Sequence, residues 1–156
     1  MIKIELILLP FPILKETIKI FKEYGKENLE AIAIWVGQEE RTTFKIKDVW
    51  IPTQFNTIIS YYVPDLNVHN INVELNKKNY SAIAQLHTHP GNAFHSCIDD
   101  NNSILTLPGS FSIVVPDFGS VSIRNNLNNL AVYRLFDKGW VLQSINKVNK
   151  LFKIIK

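Results

Sequence analysis

The chain has 156 residues, of which 46% are hydrophobic, 20% charged and 11% aromatic. That is enough for one domain with a substantial core, since a chain of this size buries roughly 70% of its unfolded surface. The balance speaks against intrinsic disorder, and no run approaches the roughly 20 apolar residues of a membrane-spanning helix. The formal charge of +3 is mild. Much of it sits in Lys147, Lys150, Lys153 and Lys156, every third position of a basic tail over 144–156. This reads as a solvated face rather than a nucleic-acid contact. The start, Met1 to Leu6, lacks the cationic, apolar and small-residue pattern of a signal peptide. Cys97 is the lone cysteine, so no internal disulfide forms and a reduced, cytoplasmic setting is expected.

Along the chain, Ile2 to Leu9 reads as a first strand, punctuated by Pro10 and Pro12. Ile13, Leu14, Ile18, Phe21 and Tyr24 then fall at helical spacing, with Gly25 as the expected stop. Leu29 to Val36 reads as a buried strand ending at Gly37, and Thr42 to Ile51 as a third strand closed by Pro52. The polar and aromatic stretch 53–72 reads either as a strand with long loops or as an inserted binding loop. Val73 to Tyr80 suggests a short helix, Ile83 to His89 a strand, and Pro90-Gly91-Asn92 a turn. A helix is expected over Asp99 to Leu107, and strands over Phe111–Val115, Val121–Ile123, Ala131–Phe136 and Trp140–Ser144. The segment Ile145 to Lys156 is expected to dock on the domain, and Trp35, Trp50 and Trp140 to pack in the core or at its edge. Strands and helices without a strict βαβ rhythm suggest a mixed α/β sandwich.

The chemistry-bearing residues begin at His87-Thr88-His89. Side chains at i and i+2 of a strand share a face, so both imidazoles can reach one metal ion. Pro90 and Gly91 turn the chain, and Ser96 and Asp99 follow after a loop short enough to fold back. Two histidines and an aspartate leave a fourth coordination position for water, as in catalytic zinc sites. A base must take that water's proton. Glu30 is the candidate: it opens an otherwise apolar run, where a carboxylate is costly unless paired or useful. The plainer alternative is a strand-end glutamate facing water. His69 reads as a surface or packing histidine rather than a ligand.

His87-Thr88-His89-Pro90 with Ser96 and Asp99 resembles the signature of the JAMM (MPN-plus) zinc metalloproteases, His-x-His-Pro then Ser-x-x-Asp. Family members also carry a Glu-x-x-Gly-x-x-x-Gly strand; here Glu30 and Gly37 keep their separation and Ala33 replaces the first glycine. The segments Ser112 to Gly119, Val132 to Leu135 and Gly139-Trp140 are similar to the latter half of bacterial JAB-type members, so the resemblance spans roughly residues 20–144. The loop between His89 and Ser96 is one residue shorter than the common eukaryotic form. Counting from Ser96 gives Asp99 as the acidic ligand; counting from His89 gives Asp100, with Cys97 in the serine place. Asp99 is preferred because a Ser-x-x-Asp turn is a local unit.

The resemblance implies a single MPN-type (cytidine-deaminase-like) domain over residues 1–156, a mixed sheet flanked by helices. It implies Zn2+ on His87, His89 and Asp99, Glu30 as general base, and Ser96 as hydrogen-bond donor to the oxyanion. It implies an (iso)peptidase cutting after the C-terminus of a ubiquitin-like protein, from a conjugate or a precursor. Small bacterial relatives accompany E1- and E2-like enzymes in anti-phage systems. Neither nucleic acid nor membrane is an expected partner. An extended substrate tail would suit strand addition, with Gln54 to Asn72 as the candidate edge. Three rivals stand beside this reading: a non-catalytic MPN-type scaffold, a small-molecule metallohydrolase, and a Cys97–His95 hydrolase, which would leave His87 and His89 unexplained.

Overall fold

The computed structural model of the chain describes residues 3–156; Met1, Ile2 and the side chains of Cys97 and Ile98 lie outside the described residues. In chain order the elements are β1 (Leu6–Pro10), α1 (Phe11–Lys26), β2 (Ile32–Glu40), β3 (Thr43–Trp50), β4 (Phe55–Asn56) and β5 (Tyr61–Tyr62). They continue with α2 (Asp65–Lys78), β6 (Ser81–Thr88), α3 (Cys97–Asn101), β7 (Phe111–Val115) and a 3-10 turn at Asp117–Gly119. The last are β8 (Ala131–Phe136), β9 (Gly139–Leu142), α4 (Ile145–Leu151) and β10 (Phe152–Ile155). Among the described residues, eight strands form one mixed sheet in the order β10-β1-β3-β2-β6-β7-β8-β9, and β4 and β5 make a separate hairpin. The result is a mixed α/β fold with helices on both sheet faces.

The central strands β2 and β6 are buried on both faces, which is why Ala31 to Val36 is a continuous apolar run rather than an alternating one. Ala33, Trp35, Phe44, Ile46, Leu86 and Phe111 share one cluster with Leu14, Ile18 and Phe21 of α1. The opposite face sets Ile34 and Val36 against Leu75 of α2, and Ile32 against Tyr61 and Val63. Trp35 Nε1 donates to Thr17 Oγ1 at 2.9 Å, and Thr17 Oγ1 donates to the Ile13 carbonyl at 2.7 Å. The helix is thereby tied to the sheet without leaving the indole proton unpaired.

Several boundaries differ from the sequence reading. The first strand begins at Leu6, where its neighbour β3 becomes available: Leu6 pairs with Thr43. Gly25 does not stop α1, which runs on to Lys26 and ends at Glu27 and Asn28, the latter with φ 53°. Gly25 instead admits the 3-10 turn, since a Cβ there would lie 2.7 Å from Phe118 Cβ and 2.8 Å from its carbonyl oxygen. Likewise β2 passes through Gly37, whose missing Cβ makes room for the Lys45 carbonyl beside a register shift.

The stretch 53–72 holds the β4–β5 hairpin and the start of α2, which begins at Asp65 rather than at Val73. Its inward residues Val68, Ile71 and Leu75 are helically spaced, but asparagines between them blur the pattern. The helix expected over Asp99 to Leu107 is the five-residue α3. Beyond it, Ile104 and Leu105 donate their N–H groups to Gln85 Oε1 at 2.8 and 3.0 Å instead of to a helical ladder. Val121–Ile123 forms no strand, although both residues pack against the core. The last segment does dock: β10 runs parallel to β1, with Lys147, Lys150, Lys153 and Lys156 exposed. Among the described residues, no helix is long and apolar enough to cross a membrane.

Candidate metal centre

β6 carries His87 near its end and His89 just beyond it. The pleat puts both imidazoles on one side and Thr88 on the other. Thr88 Oγ1 accepts from the Ala31 N–H at 3.0 Å, and the Thr88 N–H donates to the Ala31 carbonyl at 3.1 Å. This clamps the segment after Glu30 to β6. His89 stays anchored past the strand end: its N–H donates to the Val115 carbonyl at 3.0 Å, and its carbonyl accepts from the Phe118 N–H at 2.8 Å.

The acidic partner comes from a locally determined turn. The Ser96 N–H donates to Asp99 Oδ2 at 2.7 Å, and the Asp99 N–H donates to Ser96 Oγ at 3.2 Å. This reciprocal pair is the capping logic of a helix start, and it aims Asp99 at the histidines. His87 Nε2 lies 3.2 Å from Asp99 Oδ1 and His89 Nε2 lies 3.1 Å from Asp99 Oδ2. One donor atom from each of His87, His89 and Asp99 falls within 4.8 Å of the others, and all three residues are buried. Asp100 takes a different place: its side chain is 56% exposed and accepts from His95 Nδ1 at 2.7 Å.

The fit to a metal rests on His87. Its side chain is wholly buried, yet among the described residues neither ring nitrogen has a hydrogen-bond partner, Nε2 making only the 3.2 Å approach to Asp99 Oδ1. An unpaired buried polar atom costs about 1–3 kcal/mol, a cost that a cation at Nε2 would offset. Two imidazole nitrogens and a carboxylate suit zinc among the common divalent ions. Burial lowers the His87 pKa, which favours the neutral, ligating form. For Asp99, burial pushes upward, but the two imidazoles and the Ser96 N–H outweigh it and hold the carboxyl well below its usual range.

Glu30 precedes β2 and is 3% exposed. Its N–H donates to the Thr57 carbonyl at 2.8 Å, and its carbonyl accepts from Asn56 Nδ2 at 2.7 Å. The hairpin thus fixes the backbone at Glu30, while Gln54 brackets both backbone groups of Ile32 at 2.8 and 2.9 Å. Burial raises the Glu30 pKa to about 7; His89 pulls it down and Asp99 pushes it up. Of the three candidate ligands, His89 and Asp99 thus act electrostatically on its carboxyl.

Two neighbours have no role in the metal-site reading of the sequence, where His95 enters only as the partner of Cys97 in a rival hydrolase. Tyr61 is buried with its ring 5.3 Å from His87, and its hydroxyl has no partner among the described residues. His95 donates its backbone N–H to Tyr133 Oη at 3.1 Å, and its Nε2 lies 3.1 Å from Ser112 Oγ. Ser112, His95 and Asp100 follow the order of a hydrolase triad, but Ser112 is fully buried in the middle of the sheet, where no substrate reaches it. His69 is exposed on α2, outside the cluster. Trp140 packs its ring 5.5 Å from that of His95.

No family model matches the chain. Its fold is similar to the solution structure of protein DSY2949 from Desulfitobacterium hafniense, with a TM-score of 0.69 over 96% of this chain and 94% of that one. At 12% identity this is a likeness of fold alone. Over 118 residues the chain is 35% identical to the probable metalloprotease y4jG of Sinorhizobium fredii (strain NBRC 101917 / NGR234), spanning 73% of this chain and 72% of that protein. With this identity over most of both lengths, the chain belongs to the family of the probable metalloprotease y4jG.

Proposed function

We propose that the chain is a zinc metallopeptidase of the JAMM (MPN-plus) type, a bacterial JAB-type, deubiquitinase-like enzyme on an MPN-type sheet. It hydrolyses the peptide or isopeptide bond after the C-terminus of a ubiquitin-like protein. The observation that carries this reading is the convergence of His87, His89 and Asp99 within 4.8 Å, beside a buried carboxyl whose pKa is about 7.

His87, His89 and Asp99 would hold the ion. Bound there, zinc supplies Lewis-acid activation of water and of the scissile carbonyl. Glu30 is poised near neutrality, so its carboxylate can take a proton from the attacking water and return it to the leaving amine. Ser96 Oγ accepts from the Asp99 N–H, which leaves its own O–H to donate to the oxyanion. One such donor is worth about 3 kcal/mol of transition-state stabilisation.

The β4–β5 hairpin supports a protein substrate. It is stitched to Glu30 and Ile32, yet it presents Phe55, Ile58, Ile59 and Tyr62 to solvent. A compact modifier can cover these side chains while its extended tail lies beside the hairpin and enters the site. The substrate reading extends to a bacterial ubiquitin-like conjugation or anti-phage system with E1- and E2-like partners.

The test is cleavage of ubiquitin-like fusions and lysine conjugates by the purified chain. Cleavage is expected with zinc, and is abolished by a chelator and by Glu30→Gln while the thermal transition is retained. Failure to take up zinc, or full activity of Glu30→Gln, overturns the reading.

A further inference from the structure

The other end of the sheet carries a cavity that the metal centre does not use. Its volume is about 860 Å3. It lies where β2 ends and β6 begins: Ala82 on its wall is five residues from His87 along β6, about 16 Å at the rise of a strand. The wall is mainly apolar, with Phe44 and Ile83 at its base. Around its mouth Leu107, Phe136 and Val141 are 67%, 47% and 47% exposed. Isolated exposed apolar residues are ordinary; three around one concave opening are the pattern of a binding site.

The charged groups on the wall are the cations Lys3, Arg134 and Lys138 and the carboxylates Glu39 and Asp137, and of these Arg134 is packed against the core. Arg134 of β8 lies with its guanidinium 5.1 Å over the ring of Phe111, a fully buried side chain. This contact holds the guanidinium against the core at the cavity wall. Burial lowers its pKa, and among the described residues it forms no ion pair with Glu39 or Asp137 of the same wall. A half-buried guanidinium that no carboxylate pairs among the described residues, in the wall of a mainly apolar cavity with three cations to two carboxylates, favours an anionic head group. We propose that this cavity binds a small amphipathic carboxylate, with its head on the Arg134 fork and its apolar body along Phe44, Ile83 and Phe136. A polypeptide is the less suitable occupant, because the volume suits a compact ligand rather than a length of chain.

Calorimetric titration of the full chain tests this with decanoate, with decyltrimethylammonium, which has the same tail and the opposite charge, and with a short apolar peptide bearing a free C-terminus. Decanoate is expected to bind one to one, at least tenfold more tightly than the cationic probe. Arg134→Met keeps an unbranched stem over Phe111 but removes the fork, and should weaken decanoate binding at least tenfold. Leu107→Glu places a repelling charge at an exposed position where folding is not at stake, and should also weaken it. Zinc affinity should be unchanged in both variants. Equal binding of the two head groups, an unaltered affinity in Arg134→Met, or binding of the peptide alone would overturn the proposal. The ligand titrations do not involve the metal centre, so their outcome is independent of the peptidase reading.

Discussion

As the proposed general base, Glu30 is held under two opposed demands. Burial favours its protonated form, whereas a general base must be ionised to act. Without an ion bound, its pKa is raised from 4.5 to about 7. A carboxyl raised on folding contributes stability that is complete below its unfolded pKa and is lost as pH rises through the folded value. Glu30→Gln removes that loss. In chelator, the variant should therefore gain denaturant midpoint over the parent between pH 5 and pH 8, and little below pH 4.5; a constant difference across that range would count against the burial. Asp99 has the opposite sign: its depressed pKa gives stability that is present above 3.8 and lost as pH falls. For Ser96, the proposed oxyanion donor, the expected signature is kinetic. Ser96→Ala should lower kcat about 100-fold, the scale of one oxyanion donor, with little change in KM when steady-state cleavage is measured.

At the scale of the elements, the segment from β6 through α3 to β7 decides whether the ligands meet. Its fastenings come from distant segments. Gln85 on β6 accepts from Ile104 and Leu105, while its Nε2 approaches Ser103 and Ser112. His95 bridges Asp100 and Ser112 immediately before the Ser96–Asp99 turn. His95→Ala should therefore cost about 10–100-fold in zinc affinity, as loss of a ligand-orienting neighbour typically does, measured by competition with a chromophoric chelator. The same contrast explains what could be read in advance. His87, His89, Ser96 and Asp99 were visible because strand alternation and a three-residue capping turn are local rules. The contacts of Tyr61, Gln85 and His95 around the centre were not, because they depend on pairings such as His95 with Ser112, 17 residues apart. Gly25 shows how a local rule misleads: it has the composition of a helix stop, but its missing Cβ serves Phe118 on a remote turn. Gly25→Ala should cost about 1–3 kcal/mol by overpacking, visible as a lowered urea midpoint, where a mere helix-stop role would leave it nearly unchanged.

The whole molecule joins the centre to the core through the sheet. The lead-in to β2 and the end of β6 are tied by the pairing of Ala31 with Thr88, 57 residues apart, and the 96–99 turn and the hairpin close over that junction. An ion bound by His87, His89 and Asp99 is absent from the unfolded chain, so its binding free energy adds to folding stability. At free zinc of 100 times Kd this amounts to about 2.7 kcal/mol, which for a chain of this size raises Tm by roughly 5–10 °C. The shift should vanish in His89→Ala, whose side chain lies at the strand end and whose loss removes one donor. A core substitution provides the contrast. Phe152 on β10 packs 5.3 Å from Phe111 and 6.4 Å from Trp35, between centroids, at the opposite edge of the sheet from β9. Phe152→Ala should cost about 3–5 kcal/mol, yet it should keep the zinc-induced increment in stability, because distant sites with no shared partners add. Differential scanning of parent, His89→Ala and Phe152→Ala, each with zinc and with chelator, separates the two contributions. An increment that survives His89→Ala would place the ion elsewhere than on these three side chains.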